Sequence, residues 1–304
     1  MGPALWRLGK IILVCPDLTA MTGPHFICIG AQRAGTTWLY TVLDRHTAFW
    51  LPPIKELHYF DDPLRLNRSR YYQFMRMRLV VGARLRRPLT GWDVRYFFSK
   101  RSDAWYRSLF APARTRGLIG GEFTPTYATL DEAAFTRMRN VNPAVKFLFI
   151  MRDPIMRSWS SIMKSRKKHG ANDVLSTEAA IAHANRTGVV EKSSYVPTIE
   201  KLERVFPREQ IHYAFFDDIA SSPKIFLARI LSFLGVDPLN PLPVIPAGPV
   251  GSSAAGMRPP VEFERHLAAQ YLDDVCSLCQ RFDGPPHLWR ARYESLVRGS
   301  TAAA

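Results

Sequence analysis

Cysteine is scarce in this chain of 304 residues: Cys15, Cys28, Cys276 and Cys279 are the whole set. A lone C-x-x-C without a second pair or nearby histidines supports neither a zinc site nor a disulfide framework. Long apolar runs are also missing. No stretch approaches the ~20 residues of a membrane span, and Leu8 to Cys15 is too short and too weakly flanked to make a signal peptide. The chain therefore reads as soluble and cytoplasmic, with peripheral contact to a membrane left open. No internal repeat is found, which removes solenoids and propellers. Acidic residues are outnumbered, 26 against 41 Lys and Arg, for a formal charge of +15. That imbalance suits a multiply charged nucleotide, an acidic polysaccharide or a lipid headgroup, and on charge alone DNA.

What the sequence does contain is a phosphate cradle. In His25-Phe-Ile-Cys-Ile-Gly-Ala-Gln-Arg-Ala-Gly-Thr-Thr-Trp-Leu39 an apolar strand feeds a glycine-bounded loop that opens onto a helix starting near Thr36. Gly30 and Gly35 let the loop curl so that successive N–H groups point at one small volume. The helix adds unpaired first-turn N–H groups and its positive dipole end, Thr36 and Thr37 add hydroxyls, and Trp38 offers a flat face for a purine. The glycine spacing is that of the Walker pattern, but Thr36 stands where the lysine should be, which disfavours a nucleoside triphosphatase. The cation inside the loop is Arg33.

A second motif lies at Lys146-Phe-Leu-Phe-Ile-Met-Arg-Asp-Pro-Ile-Met-Arg-Ser-Trp-Ser-Ser161, another strand running into a helix. Asp153 suits the cap and Pro154 the first turn. Arg152 at the strand tip and Ser160 on the helix can hold a second phosphate. Asp153 and Arg157 are read as a structural cap and ion pair.

Taken together these residues resemble the sulfotransferase superfamily, in its bacterial and heparan-sulfate-like carbohydrate branch, whose donor is 3′-phosphoadenosine 5′-phosphosulfate. Arg33-Ala-Gly-Thr-Thr-Trp-Leu39 looks like the family's 5′-phosphosulfate loop, Lys-x-Gly-Thr-Thr-x-Leu, and Arg152 with Ser160 like its 3′-phosphate site. Gly121-Glu-Phe-Thr-Pro-Thr-Tyr127 is similar to its Glu-Lys-Thr-Pro-x-Tyr element. Ser194-Tyr195, Leu202 to Ile211 and Phe233-Leu-Gly235 look like the late core. The resemblance spans roughly residues 24 to 290.

The resemblance implies in-line sulfuryl transfer to a hydroxyl, with no obligatory metal. Arg33, Ala34, Gly35, Thr36, Thr37 and Trp38 would hold the donor's 5′ side, and Arg152 and Ser160 its 3′ side. Tyr195 would line the adenine pocket or else be a core tyrosine. Arg258, in the loosely matched loop Gly251 to Arg258, would close over the 3′-phosphate. Glu122 is expected to act as the base, its alternative being a structural glutamate paired with an arginine. Lys55 and His58, from Lys55-Glu-Leu-His-Tyr-Phe60, join Arg33 as further catalytic candidates, with a packing role open for His58. Arg33 in place of the family's lysine gives an electrostatic role, and Phe123 in place of the second lysine leaves acceptor identity open. A carbohydrate or glycolipid acceptor is expected, and no nucleic acid. The rival readings are a P-loop-type phosphotransferase using a nucleoside triphosphate and a noncatalytic polyanion binder.

The implied fold is α/β: a single P-loop-like domain with a central, mostly parallel sheet flanked by helices. Strands are expected at Phe26 to Gly30, Gly117 to Gly121, Val145 to Met151 and Ile211 to Phe215. An N-terminal extension (1–23) precedes the α/β domain (24–240). The remainder (241–304) is read as a proline-rich loop and two amphipathic helices over Val261 to Leu296 that complete the same domain. Two basic runs remain: Arg65 to Arg101, interleaved with aromatics, and Lys164 to Lys168. The first is either an acceptor face or a solvated helix, and the second either borders the 3′-phosphate entrance or is an exposed helix end.

Overall fold

A computed structural model describes residues 23–61, 90–170, 175–238 and 258–301. Five parallel strands, β1 (Phe26–Gly30), β2 (Phe49–Trp50), β3 (Ile119–Phe123), β4 (Lys146–Met151) and β5 (Ile211–Phe215), form one sheet in the order β2-β3-β1-β4-β5. The central strands are apolar throughout because helices cover both faces: every residue of β1 is buried, and so are all of β4 after Lys146. The architecture is the single α/β domain expected.

β1 and β5 fall where the sequence places them, and β4 starts one residue later. β3 is displaced by two residues. Gly117 adopts φ +63° and Leu118 N donates to Ala113 O, so these residues close the preceding helix, Ala111–Thr115, before the strand can begin. The displacement puts Glu122 inside the strand. Within it Gly121 is required by packing, since a Cβ there would come within 2.2 Å of the Phe26 ring that covers it. β2 has two residues, too few for any alternation to register.

Reversal of strand order between β1 and β4 opens a crevice at their carboxyl ends, and both anion loops leave the sheet there. Two long helices, Val261–Cys279 and Pro285–Thr301, occupy the region expected to be amphipathic. The second anchors the tip of β4. Arg292 pairs with Asp153 at 3.0 Å, Tyr293 OH donates to Asp153 Oδ1 at 3.0 Å, and Trp289 Nε1 donates to Asp217 at 3.1 Å. Among the described residues no helix is long and apolar enough to cross a membrane. The proline-rich loop 239–257, the Leu8 to Cys15 segment and most of the basic run, Arg65 to Arg87, lie outside the described residues.

Candidate active site

Gly35 caps the helix Thr36–Asp44 in the left-handed region, φ +87°, and a Cβ there would sit 2.6 Å from Ile219 Cδ1. Only glycine turns the loop this tightly against Ile219 and Phe216. The N–H groups of the first helical turn then face a cleft bordered by Thr36, Thr37, Arg33, Arg152, Ser160, Lys164 and Phe216. Ala34 is fully buried behind it.

The two anion motifs touch. Arg33, itself left-handed at φ +73°, donates from Nε to Ser160 Oγ at 3.0 Å, and Arg152 donates to the Arg33 carbonyl at 3.0 Å. The loop guanidinium thus leans toward the second anion site. On the opposite wall it is Lys55 Nζ that donates to Thr37 Oγ1, at 2.9 Å. Burial lowers the pKa of Arg33, with the nearby Arg157 charge adding to it, and burial also lowers those of Arg152 and Lys55. Three cations thus share one partly desolvated pocket.

Asp153 caps the helix Pro154–Lys168, accepting from Met156 N at 3.0 Å. Its ionic partner is Arg292, which corrects the pairing with Arg157 expected from the sequence. Arg157 is buried elsewhere, donating to Ser193 Oγ at 2.6 Å and to the Val189 carbonyl at 2.9 Å. The reason is direction: one turn after its cap, Arg157 points down into the packing between helices, while Arg292 arrives from the closing helix.

Aromatic expectations shift as well. Trp38 is 1% exposed and packs edge-to-face on Phe226 at 5.9 Å, so its face is not open to a purine. Tyr195 is buried behind β4, where its hydroxyl donates to the Arg152 carbonyl at 2.6 Å and fixes the strand tip, the core alternative. Trp38 and Phe216 both border the cleft, and it is Phe216 that lies under the Arg152 guanidinium, at 4.3 Å. Arg258 is exposed and does not border the cleft. The described part of the first basic run serves packing: Arg95 donates to the Ser108 carbonyl, and Arg101 stacks over Tyr59 and Trp105. From the second run, Lys164 reaches the cleft.

A polar relay closes one side. Glu56 and His58 are both left-handed, φ +66° and +52°, and with Arg33 they complete the non-glycine residues of positive φ among those described. All three lie at this site, which is where backbone strain accumulates when surroundings over-determine it. Glu56 borders the cleft, 3.9 Å from Lys55 Nζ and 3.5 Å from His58 Nε2. His58 Nδ1 contacts Asp61 Oδ2 at 2.7 Å, and Thr126 Oγ1 donates to the same oxygen at 2.8 Å. Burial pulls the His58 pKa down, but hydrogen bonds to Asp61 and Glu56 outweigh it and raise it to about 9. Burial pushes Glu56 up, yet the His58 hydrogen bond and the Lys55 charge hold its carboxyl below the usual range. An ionised carboxylate therefore faces the cleft at neutral pH.

Glu122 does not face it. Its side chain is 1% exposed and lies under the cleft floor, where Thr124 Oγ1 donates at 2.7 Å, Tyr127 OH at 2.9 Å and Tyr106 OH through a short contact. Among the described residues its partners are hydroxyls and no arginine. Burial is the leading cause that raises its pKa to about 7, against the hydroxyl donors that lower it. The residues that sequence reasoning passed over are Glu56, Asp61 and Phe216. Glu56 had a visible signal, a carboxylate between Lys55 and His58 in an otherwise apolar stretch, whereas Phe216 had none beyond its place after β5.

A parallel α/β sheet with two cationic loops meeting at its switch point is an architecture suited to binding anions. The chain belongs to the sulfotransferase family, whose model matches residues 24–241. A crystal structure of a sulfotransferase from Alicyclobacillus acidocaldarius shares the fold, with a TM-score of 0.61 at 23% identity over 88% of this chain and 98% of that one. Heparan sulfate glucosamine 3-O-sulfotransferase 3B1 of Mus musculus is 29% identical over 151 residues, 46% of this chain and 38% of the relative. Heparan sulfate glucosamine 3-O-sulfotransferase 5 of Mus musculus is 22% identical over 223 residues, 71% of this chain and 54% of the relative. The match thus spans little more than a third to a half of the length of these relatives.

Proposed function

We propose that this protein transfers the sulfuryl group of 3′-phosphoadenosine 5′-phosphosulfate to a sugar hydroxyl, on a polysaccharide or a glycolipid. The observation that carries the reading is the meeting of the two anion sites in one cleft, through the Arg33–Ser160 and Arg152–Arg33 hydrogen bonds. A nucleotide charged at both ends matches that spacing of cations. Gly35, Thr36 and Thr37 receive the 5′ side, Arg152, Ser160 and Arg33 the 3′-phosphate, and Phe216 the adenine. Carbohydrate is favoured because the relatives named above act on the glucosamine of heparan sulfate and because this chain carries a charge of +15.

In the transfer, the acceptor oxygen forms a bond to sulfur as the bond from sulfur to the 5′-phosphate oxygen breaks, and the electron pair leaves with adenosine 3′,5′-bisphosphate. Lys55, on Thr37, stands where charge develops on the leaving oxygen. Of the two carboxylates, Glu56 takes the proton, since a base needs hydrogen-bond reach of the acceptor and Glu56 borders the cleft while Glu122 is sealed beneath it.

The test is a radiolabelled sulfate transfer screen over polysaccharides, glycolipids and small hydroxyl compounds, run with wild type and Glu56→Gln. A positioned base contributes ~10²- to 10⁴-fold, so Glu56→Gln should lose transfer by at least 100-fold while calorimetry gives unchanged affinity for adenosine 3′,5′-bisphosphate. Equal transfer by both proteins removes Glu56 as base, and no bisphosphate binding by wild type removes the whole reading.

A further inference from the structure

We infer that Glu122 is a positioning residue: a buried post that, through the Tyr127 hydroxyl, holds the 56–61 segment in the shape that presents Glu56 to the cleft. This rests on the sulfotransferase reading for its kinetic consequences, but its structural content stands on hydrogen bonds alone.

Segment 56–61 cannot hold itself. Two of its residues, Glu56 and His58, sit in a left-handed conformation without being glycine, and such a residue persists only where its surroundings impose it. The imposing contacts come from β3 and the turn that follows. Glu56 N donates to the Phe123 carbonyl at 3.0 Å, which ties one end of the segment to the strand. At the other end, Tyr59 N and Phe60 N both donate to Tyr127 OH, at 2.6 and 3.3 Å. A tyrosine hydroxyl has one proton. It can accept from two amides only if that proton is sent elsewhere, and the Glu122 carboxylate is where it goes, at 2.9 Å.

The same carboxylate accepts from the Tyr106 hydroxyl, and the Tyr106 ring lies flat on Tyr59 at 4.6 Å and edge-on to Phe60 at 5.0 Å. Two of the three hydroxyls on Glu122 therefore belong to rings that brace the segment, and Thr124 supplies the third. An apolar residue could fill this space with less penalty, because a carboxylate is unfavourable to bury. What an apolar residue could not do is fix the direction of the two tyrosine protons.

Glutamine fills the space but breaks the pattern. Its amide nitrogen cannot accept, so either Tyr106 or the Tyr127–Thr124 pair must turn its proton back, and if Tyr127 turns, the Tyr59 and Phe60 amides lose their acceptor.

Two variants, Glu122→Gln and Tyr127→Phe, test this with three readouts. By hydrogen exchange, the Tyr59 and Phe60 amides should exchange at least 10-fold faster than in wild type in Tyr127→Phe, and in Glu122→Gln by no more than that, a result that needs no activity and so survives failure of the sulfotransferase reading. In transfer assays, both should lower kcat by about 10- to 100-fold with unchanged affinity for adenosine 3′,5′-bisphosphate, and the double variant should be no worse than the worse single one, because both act on one path. The acidic limb of the pH profile should persist in both, since Glu56 supplies it. Unchanged amide exchange, full kcat below the unfolding temperature, or loss of the acidic limb in Glu122→Gln with normal kcat in Tyr127→Phe would each overturn the inference, the last by making Glu122 the base.

Discussion

Asp61→Asn tests the relay beside the cleft through the pH dependence of stability. In the folded protein His58 titrates near 9, raised by Asp61 at 2.7 Å and Glu56 at 3.5 Å against the opposing effect of burial; in the unfolded chain it titrates near ~6.5. A pKa raised on folding stabilises the protein fully below ~6.5, and that stability is lost as pH rises through about 9. At ~1.36 kcal/mol per tenfold change the shift amounts to about 3 kcal/mol, and screening of the 21% of the side chain that stays exposed brings it to roughly 2 kcal/mol. The asparagine carbonyl still accepts from the Thr126 hydroxyl, so the loop is kept while the stronger anionic partner is lost. Urea unfolding at pH 6 and pH 9.5 should give a fall in stability that is smaller by roughly 1 kcal/mol in Asp61→Asn than in wild type. Taking the difference between the two proteins cancels every other group that titrates in that interval. The His58 ring protons, followed by NMR, should titrate near 9 in wild type and closer to the ordinary value in the variant. Identical pH slopes, or a wild-type His58 that titrates near ~6.5, would refute the relay.

Two further substitutions probe the cleft itself. Gly35→Ala combines a left-handed φ of +87° with a Cβ placed 2.6 Å from Ile219 Cδ1, so it should cost about 2–4 kcal/mol of stability and weaken bisphosphate binding more than 10-fold. The control Gly188→Ala, which has open space around the new Cβ, should leave both within ~0.5 kcal/mol; equal effects at the two sites would show that the loop shape is not special. Phe216→Ala removes the ring under Arg152 and should lower affinity for adenosine 3′,5′-bisphosphate by roughly 10-fold, measured by calorimetry, with inorganic phosphate binding unchanged. A matching loss for inorganic phosphate would mean that the ring supports Arg152 and not the adenine.

Features that depend on a few consecutive residues are legible in the chain itself. Gly30 and Gly35 around a strand-to-helix turn, and Arg-Asp-Pro at a second one, declare themselves because backbone geometry is a local property. The sheet follows, since apolar runs of five or six residues between helices leave little choice but parallel pairing. Side-chain direction is harder to read. Whether the Glu122 carboxylate faces the cleft or the interior is set by the Tyr106, Thr124 and Tyr127 hydroxyls that meet it, and the strand's local pattern does not record them. Trp38 is readable in principle, because Trp38, Leu39, Val42 and Leu43 form the buried stripe of its helix, but its position after the phosphate loop invites a ligand role. Phe216 and the Asp153–Arg292 pair depend on elements that meet across more than sixty residues of chain, which no local pattern records.

The arrangement of charge around the cleft gives the strongest physical reason to treat it as a site and not as packing. Arg157 is buried among hydroxyls and a carbonyl, and Arg152 stacks on Phe216 and donates to a carbonyl; neither meets a carboxylate in an ion pair among the described residues. A buried guanidinium satisfied only by neutral acceptors keeps its hydrogen bonds but not its charge balance. Asp153, the nearest acid in sequence, makes its ion pair with Arg292 and accepts from Tyr293 of the closing helix, so that its charge, like that of Asp217, reaches Arg152 only without a direct pair. That helix therefore does more than cover the sheet: by pairing with Asp153 it fixes the cap at the β4 tip. An anion that binds only the folded form stabilises it by RT ln(1 + [L]/Kd). At the cleft itself Arg33, Lys55, Arg152 and Lys164 face the single carboxylate of Glu56 among the described lining residues, and this excess of positive charge is what favours the proposed doubly charged nucleotide over a neutral ligand.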